Sequence, residues 1–109
     1  MMPPNPKQAY GDKKVQLQLV PRALMLPVAQ ALKNGADKYG AWNWRENPVE
    51  AMTYVAAILR HLYDWVEGEE VAPDSMVHHL GHLAASVAIL LDAQATGNLI
   101  DNRPKSRNS

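Results

Sequence analysis

Cysteine is absent from the 109-residue chain, and so is phenylalanine. The first absence excludes disulfides, thiolate nucleophiles and Cys-ligated zinc or iron–sulfur centres. It also removes any mark of an oxidising compartment, so a cytoplasmic location is expected. The second leaves Leu, Val, Ala, Ile and Met to build the core, a composition that suits close-packed helices. Net charge is missing too: 11 Lys and Arg balance 11 Asp and Glu, so no global field draws the chain to a nucleic-acid polymer or an anionic membrane. No apolar run is long enough to span a bilayer. Met1-Met2-Pro3-Pro4-Asn5-Pro6 has neither the basic start nor the apolar segment of a secretory signal. The length admits one domain.

What is there reads as helix between two tails. Residues 1–13 and the basic stretch 97–109, with Arg103, Lys105 and Arg107, hold little to bury and are expected to be flexible. Val15, Leu17 and Leu19 alternate with polar residues, the period of a short strand or extended arm. After Pro21, Leu24, Val28, Ala31 and Leu32 recur at helical spacing, with Gly35 as the expected stop and Pro27 as a kink or late start. Asn47-Pro48-Val49-Glu50 has the residues of a helix start. From there Met52, Val55, Leu59, Leu62 and Val66 mark a buried stripe, ended near Glu67 by Gly68. Pro73-Asp74-Ser75 predicts the start of a third helix reaching Ala95 before Gly97, with Val77, Leu80, Leu83, Ala84, Val87, Leu90 and Leu91 on its apolar side. The expected fold is all-α: a compact domain of about three helices over residues 14–96, with a short N-terminal arm and a size that favours self-association.

Two groups of residues could carry chemistry. His61, His78, His79 and His82 fall in one part of the chain, and on an antiparallel hairpin the faces holding His61, Asp64 and His82 can meet near the connection. Convergent imidazoles and carboxylates bind divalent metals; the alternative is that these histidines pair with Asp64, Glu67 or Glu69 on a solvated or interfacial face. The segment from Lys38 to Arg45 invites a nucleotide. Lys38 and Arg45 suit phosphate, Tyr39 and Trp44 can stack, and Asn43 can bond a base edge. The alternative is an interface loop whose tryptophans fill a neighbour's groove.

The ordered string Lys14-Val15-x-Leu17-x-Leu19-Val20-Pro21, Gly35-Ala36-x-Lys38-Tyr39-Gly40, Asn43-Trp44-Arg45, Arg60-His61, Trp65, Gly68-Glu69, Asp74-Ser75 and His79-Leu80-x-His82 resembles a phage and prophage family. It is the dATP/dGTP diphosphohydrolase N-terminal domain family, MazZ-like and related to the all-α MazG-type nucleotide pyrophosphohydrolases, and the resemblance covers about residues 11–95. It implies cleavage of a purine deoxynucleoside triphosphate to monophosphate and pyrophosphate, in a homo-oligomer, a dimer or tetramer, that reshapes a nucleotide pool. It also implies a divalent metal, Mg or Mn first, with Co, Ni or Zn compatible with histidine ligands. Where the MazG pattern has ExxE and ExxD, this chain has His61-x-x-Asp64 and His79-x-x-His82. On that resemblance His61, Asp64, His79 and His82 are the expected metal ligands, and Glu69 and Asp74 the expected catalytic oxygens from the connecting loop. Lys38, Tyr39, Asn43, Trp44 and Arg45 are the expected substrate contacts. A non-catalytic nucleotide-binding or assembly protein is the alternative.

Overall fold

A computed structural model describes residues 5–105. In chain order it contains α1 (Pro6–Gly11), a 3-10 turn (Leu17–Leu19), α2 (Arg22–Tyr39), α3 (Asn43–Glu46), β1 (Val49–Glu50), α4 (Ala51–Val66), α5 (His79–Ala95) and β2 (Leu99–Ile100). The architecture is helical, with α5 packed against both α2 and α4. Of the two expected tails, residues 1–4 and 106–109 lie outside the described residues.

Several local expectations are corrected. Part of the N-terminal tail is α1, because Asn5 caps it by accepting from the Lys7 N–H and Pro6 occupies the first turn. The arm is a 3-10 turn rather than a strand: no strand lies beside it among the described residues, and Leu19 and Val20 donate back to Gln16 and Leu17. Its Val15, Leu17 and Leu19 are all more than 70% exposed. The first long helix runs through Pro27 and Gly35 to end at Gly40, whose φ of 91° and N–H bond to the Ala36 carbonyl close the last turn. Lys38 and Tyr39 are therefore helical, and Asn43–Glu46 forms one further turn.

Asn47-Pro48-Val49-Glu50 does not open a helix. Val49 and Glu50 pair in parallel with Leu99 and Ile100, so part of the expected basic tail is a strand. The Asn98 side chain ties the junction by donating to the Trp44 and Asn47 carbonyls, and Asn102 Oδ1 accepts from the Met52 N–H. An orphan donor of the first turn of α4 is thus satisfied from fifty residues away. The third helix begins at His79, not at Asp74-Ser75. His78 is its cap, with the imidazole Nδ1 accepting from the Leu80 N–H. The intervening chain instead folds back, with a bridge between Val71 and His78 and Met76 at φ 60°. The stops near Gly68 and Gly97, both at positive φ, are where the sequence places them.

The core is built from small side chains. Ala31, Val77 and Ala85 form it, with Val28 and Leu32 packed against them, and Ala51, Ala72 and Ala93 are buried as well. The expected stripe on α4 is only partly covered: Leu59 is 41% and Val66 64% exposed. Gly81, buried at the start of α5, faces Pro27 of α2, and a Cβ there would lie 2.6 Å from the Pro27 Cβ and 2.8 Å from its carbonyl oxygen. Only glycine permits this approach, because the obstacle includes backbone. Gly81→Ala is expected to lower the thermal midpoint by roughly 5 °C or more, as overpacking costs about 1–3 kcal/mol. Thermal unfolding followed by circular dichroism checks it, with Gly35→Ala, where the added carbon meets open space, as the tolerated control.

A candidate metal and nucleotide site

The reversal after α4 sets the site. Gly68, at φ 104°, turns the chain, Glu69 N–H bonds the Asp64 carbonyl, and His79 N–H bonds the Glu70 carbonyl. These bonds lay Glu69 over the start of α5. As a result one ligand atom each from Asp64, Glu69 and His79 fall within 4.8 Å of one another. His79 is 2% exposed, whereas both carboxylates reach solvent.

Both nitrogens of His79 are engaged: Nε2 lies 2.7 Å from Glu69 Oε1 and Nδ1 lies 2.8 Å from His61 Nδ1. Since a carboxylate accepts, the proton belongs on Nε2 of His79, and its Nδ1 then accepts from the Nδ1–H of His61. The His61 ring stacks on His82 with centroids 4.7 Å apart and planes 11° from parallel. His82 Nε2 in turn pairs with Ser75 Oγ at 2.7 Å. The row from Glu69 to Ser75 thus brings together three of the four expected ligands, His61, His79 and His82. The fourth, Asp64, joins His79 and Glu69 at one end. Burial, and then mutual repulsion, push the His61 and His82 imidazoles below their ordinary values, which favours the neutral rings.

His61 and His82 also line a cleft of about 370 Å³ between α2, α4 and α5. Lys38, Tyr39, Asn43 and Trp44 stand on its wall, as does Asp74. Arg45 does not. Its Nε and Nη2 donate to Asp92 Oδ2 and Oδ1 at 2.8 Å, and Trp44 Nε1 donates to Oδ2 at 2.7 Å. This clamp fastens α3 to α5, and Arg45 and Trp44 together hold the Asp92 carboxyl down at about 2.

Three further cleft residues were not singled out as site residues from sequence. Arg60 and Asn34 add a cation and an amide to the wall, and Tyr54 adds a phenol whose burial raises its pKa and keeps the hydroxyl protonated. Arg60 stands beside His61 in the motif string, so its position was visible without its role. Asp92 carried a weaker sign: it lies seven residues after Ala85 and four after Ala88, on the inward side of α5, where a carboxylate needs a partner.

The lowered imidazoles fix a pH dependence. In the unfolded chain His61 and His82 bind protons at higher pH than in the fold, so their contribution is present above the ordinary value of 6.5 and is lost as pH falls below it. The thermal midpoint of the chelator-treated protein is expected to fall between pH 7 and pH 5, and to fall less in His82→Asn. The Asp92 clamp has the opposite charge type and works over a different range: its contribution is present above the ordinary value of 3.8 and is lost as pH falls toward about 2.

Among the described residues no helix is long and apolar enough to cross a membrane. No curated protein and no solved structure matches the chain. Its residues 4–103 do match the family described as dATP/dGTP diphosphohydrolase, N-terminal, which covers α1 to β2 and every residue of the imidazole row, and the chain belongs to that family.

Proposed function

We propose that this chain is a divalent-metal-dependent pyrophosphohydrolase that converts dATP or dGTP to the monophosphate and pyrophosphate in the cleft between α2, α4 and α5. The observation that carries this reading is the convergence of Asp64, Glu69 and His79, joined through His61 to a cleft that presents Lys38 and Arg60. The family description supplies the substrate class.

The residues fit a divalent cation. Two carboxylates and an imidazole are a mixed oxygen and nitrogen set that Mn, Co or Zn accepts readily, while Mg prefers oxygen alone. Proximity favours Asp64, Glu69 and His79 as the ligands, which moves Glu69 from a catalytic to a ligating role. His61 then acts as the outer partner that orients His79, and His82 supports His61 by stacking. A bound cation offsets phosphate charge and lowers the pKa of water.

The chain's own groups do the rest. Lys38 and Arg60 neutralise a triphosphate at the cleft wall, and Asn34 and Asn43 offer amide bonds to phosphate or sugar. Tyr54 can donate from a hydroxyl that stays protonated. Asp74 lines the same wall, and in this reading its carboxylate takes a proton from attacking water. Cleavage breaks the anhydride between the α and β phosphates, and water supplies the oxygen and the two protons that the products share.

A MazG-type ancestry, a phage nucleotide pool as the setting and a cytoplasmic location belong to the same reading. So does homo-oligomeric assembly, supported by the exposed apolar residues Leu59 and Val66 on α4 and Val15, Leu17 and Leu19 before α2.

Pyrophosphate release from each of the four dNTPs with Mg, Mn or Co tests the proposal. Turnover of dATP and dGTP above dCTP and dTTP is expected. Asp64→Asn and Glu69→Gln, both at exposed positions and both isosteric changes that keep an acceptor oxygen, should each lower the rate by about 100-fold, at the upper end of what even an outer metal partner costs. Full turnover in both variants would refute the ligand set, and no turnover with any metal in the native chain would leave a nucleotide-binding or assembly protein.

A further inference from the structure

A second cavity, of about 470 Å³, opens between α2, the Ala41–Trp44 turn and α5, and the site built above leaves it unused. Leu32 and Ala36 form one wall, Ala88 another, and Trp42 and Trp44 a third, so the lining is overwhelmingly apolar. Leu32 and Trp44 also line the polar cleft, so the two spaces share a partition. Two charged residues join this lining: Lys33, which pairs with Asp37 on α2, and a single carboxylate, Asp92.

Trp42 is the unusual residue here. Its backbone is left-handed, at φ 61° and ψ 23°, a conformation that a bulky side chain resists. The strain is not offset by burial, since the indole is 55% exposed. The indole is held by Arg45, whose guanidinium carbon lies 4.4 Å from the centre of its ring and is fixed by Asp92, and by Trp44, whose ring is tilted 48° to it with centroids 5.3 Å apart. The indole is thus braced at the cavity mouth without being used by the core.

Asp92 has capacity to spare. Oδ2 accepts from Trp44 and Arg45, and Oδ1 accepts from Arg45 alone. A carboxylate offers about four acceptor positions, so Oδ1 can take one further N–H at the edge of an apolar slot. A flat aromatic heterocycle with an N–H on its edge matches that combination.

We propose that this cavity receives the purine base of the nucleotide, with Trp42 as its stacking face and Asp92 Oδ1 as the acceptor for a base N–H. The proposal rests on the reading of the adjoining cleft as the phosphate site and assigns the recognition of the base to separate residues. The partition at Leu32 and Trp44 is where base and phosphates diverge. Adenine and guanine both carry an exocyclic amine, and their two fused rings cover more of the apolar wall than a pyrimidine does.

The test separates base binding from hydrolysis. Equilibrium dialysis of dAMP, dGMP and dCMP in chelator measures affinity with no turnover required. The purine monophosphates should bind several-fold tighter than dCMP, because their second ring buries more apolar surface against the cavity wall. Ala88→Leu, which fills the cavity without removing a contact, and Trp42→Ala should each weaken dAMP or dGMP binding by about tenfold. Inorganic pyrophosphate binding with Mn should be unchanged in both. Helicity by circular dichroism certifies the fold of each variant. Purine affinity that survives both substitutions, or that never exceeds that for dCMP, overturns the proposal even if dNTP hydrolysis is intact. A change of mass by light scattering with unaltered base affinity also overturns it, and would mark the cavity as a contact between copies. Base binding without hydrolysis would sustain it while the catalytic reading fails.

Discussion

The close approach of α2 and α5 is the constraint on which the site depends. It is made by what side chains lack: Gly81 has no Cβ to collide with Pro27, and Ala31 and Ala85 let the two helices come together around Val77. Gly81 sits between His79 and His82, so the contact that sets the helix spacing also sets the height of both imidazoles. The second constraint is the reversal at Gly68. With α5 fixed against α2 and the reversal fixed by backbone bonds, Glu69 and His61 meet His79 from opposite sides.

The imidazole row is a proton-ordered structure. A carboxylate at one end decides which nitrogen of His79 carries hydrogen, and that choice decides the same question for His61. The row changes direction only if the Nε2 proton of His79 is replaced. A divalent cation would be held by His79, Glu69 and Asp64; its binding would displace that proton to solvent and require the hydrogen of His79 to lie on Nδ1, donated to His61. Near-complete burial of His79 keeps this arrangement from dissolving into water when no cation is bound. The exposed carboxylates of Asp64 and Glu69 can adjust around it.

The three long helices and the stops at Gly68 and Gly97 were legible because period and punctuation coincide, whereas Gly35 stops nothing and α2 continues to Tyr39. Val55, Leu62, Gly68 and Gly97 need no distant information. β1 was not, since two residues carry no period and the groups that satisfy it, Asn98 and Asn102, arrive from the other end of the chain. Asn47-Pro48-Val49-Glu50 has the residues of a helix start, but the pairing of Val49 and Glu50 with Leu99 and Ile100 overrules it and α4 begins at Ala51. The start of α5 was displaced for a related reason: the Val71–His78 bridge consumes Ser75 and its surroundings, and a histidine takes the capping role usually held by Ser or Asp. Clustering of the histidines pointed to the place where the structure brings His61, His79 and His82 together. The grouping of Glu69 with Asp64 and His79 depends on the path of a loop, which spacing along a helix does not describe.

Charge balance links the ligand set to the cleft. Asp64 and Glu69 bring two negative charges to a cation, and neutral His79 brings none, so a divalent ion there would be neutralised once by its own ligands. An all-carboxylate set of four would overshoot by two charges and repel a triphosphate. On the proposed function a triphosphate's charge would be met by Lys38 and Arg60, two cations on the cleft wall that the described structure does not pair with any carboxylate. Arg45 and Asp92 cancel each other and contribute no net field, which suits a wall that faces an apolar cavity. The two spaces therefore differ in polarity: Lys38 and Arg60 stand without a carboxylate partner on one side of Leu32 and Trp44, while on the other the charged groups Lys33 and Asp92 are paired with Asp37 and Arg45 beside an apolar wall.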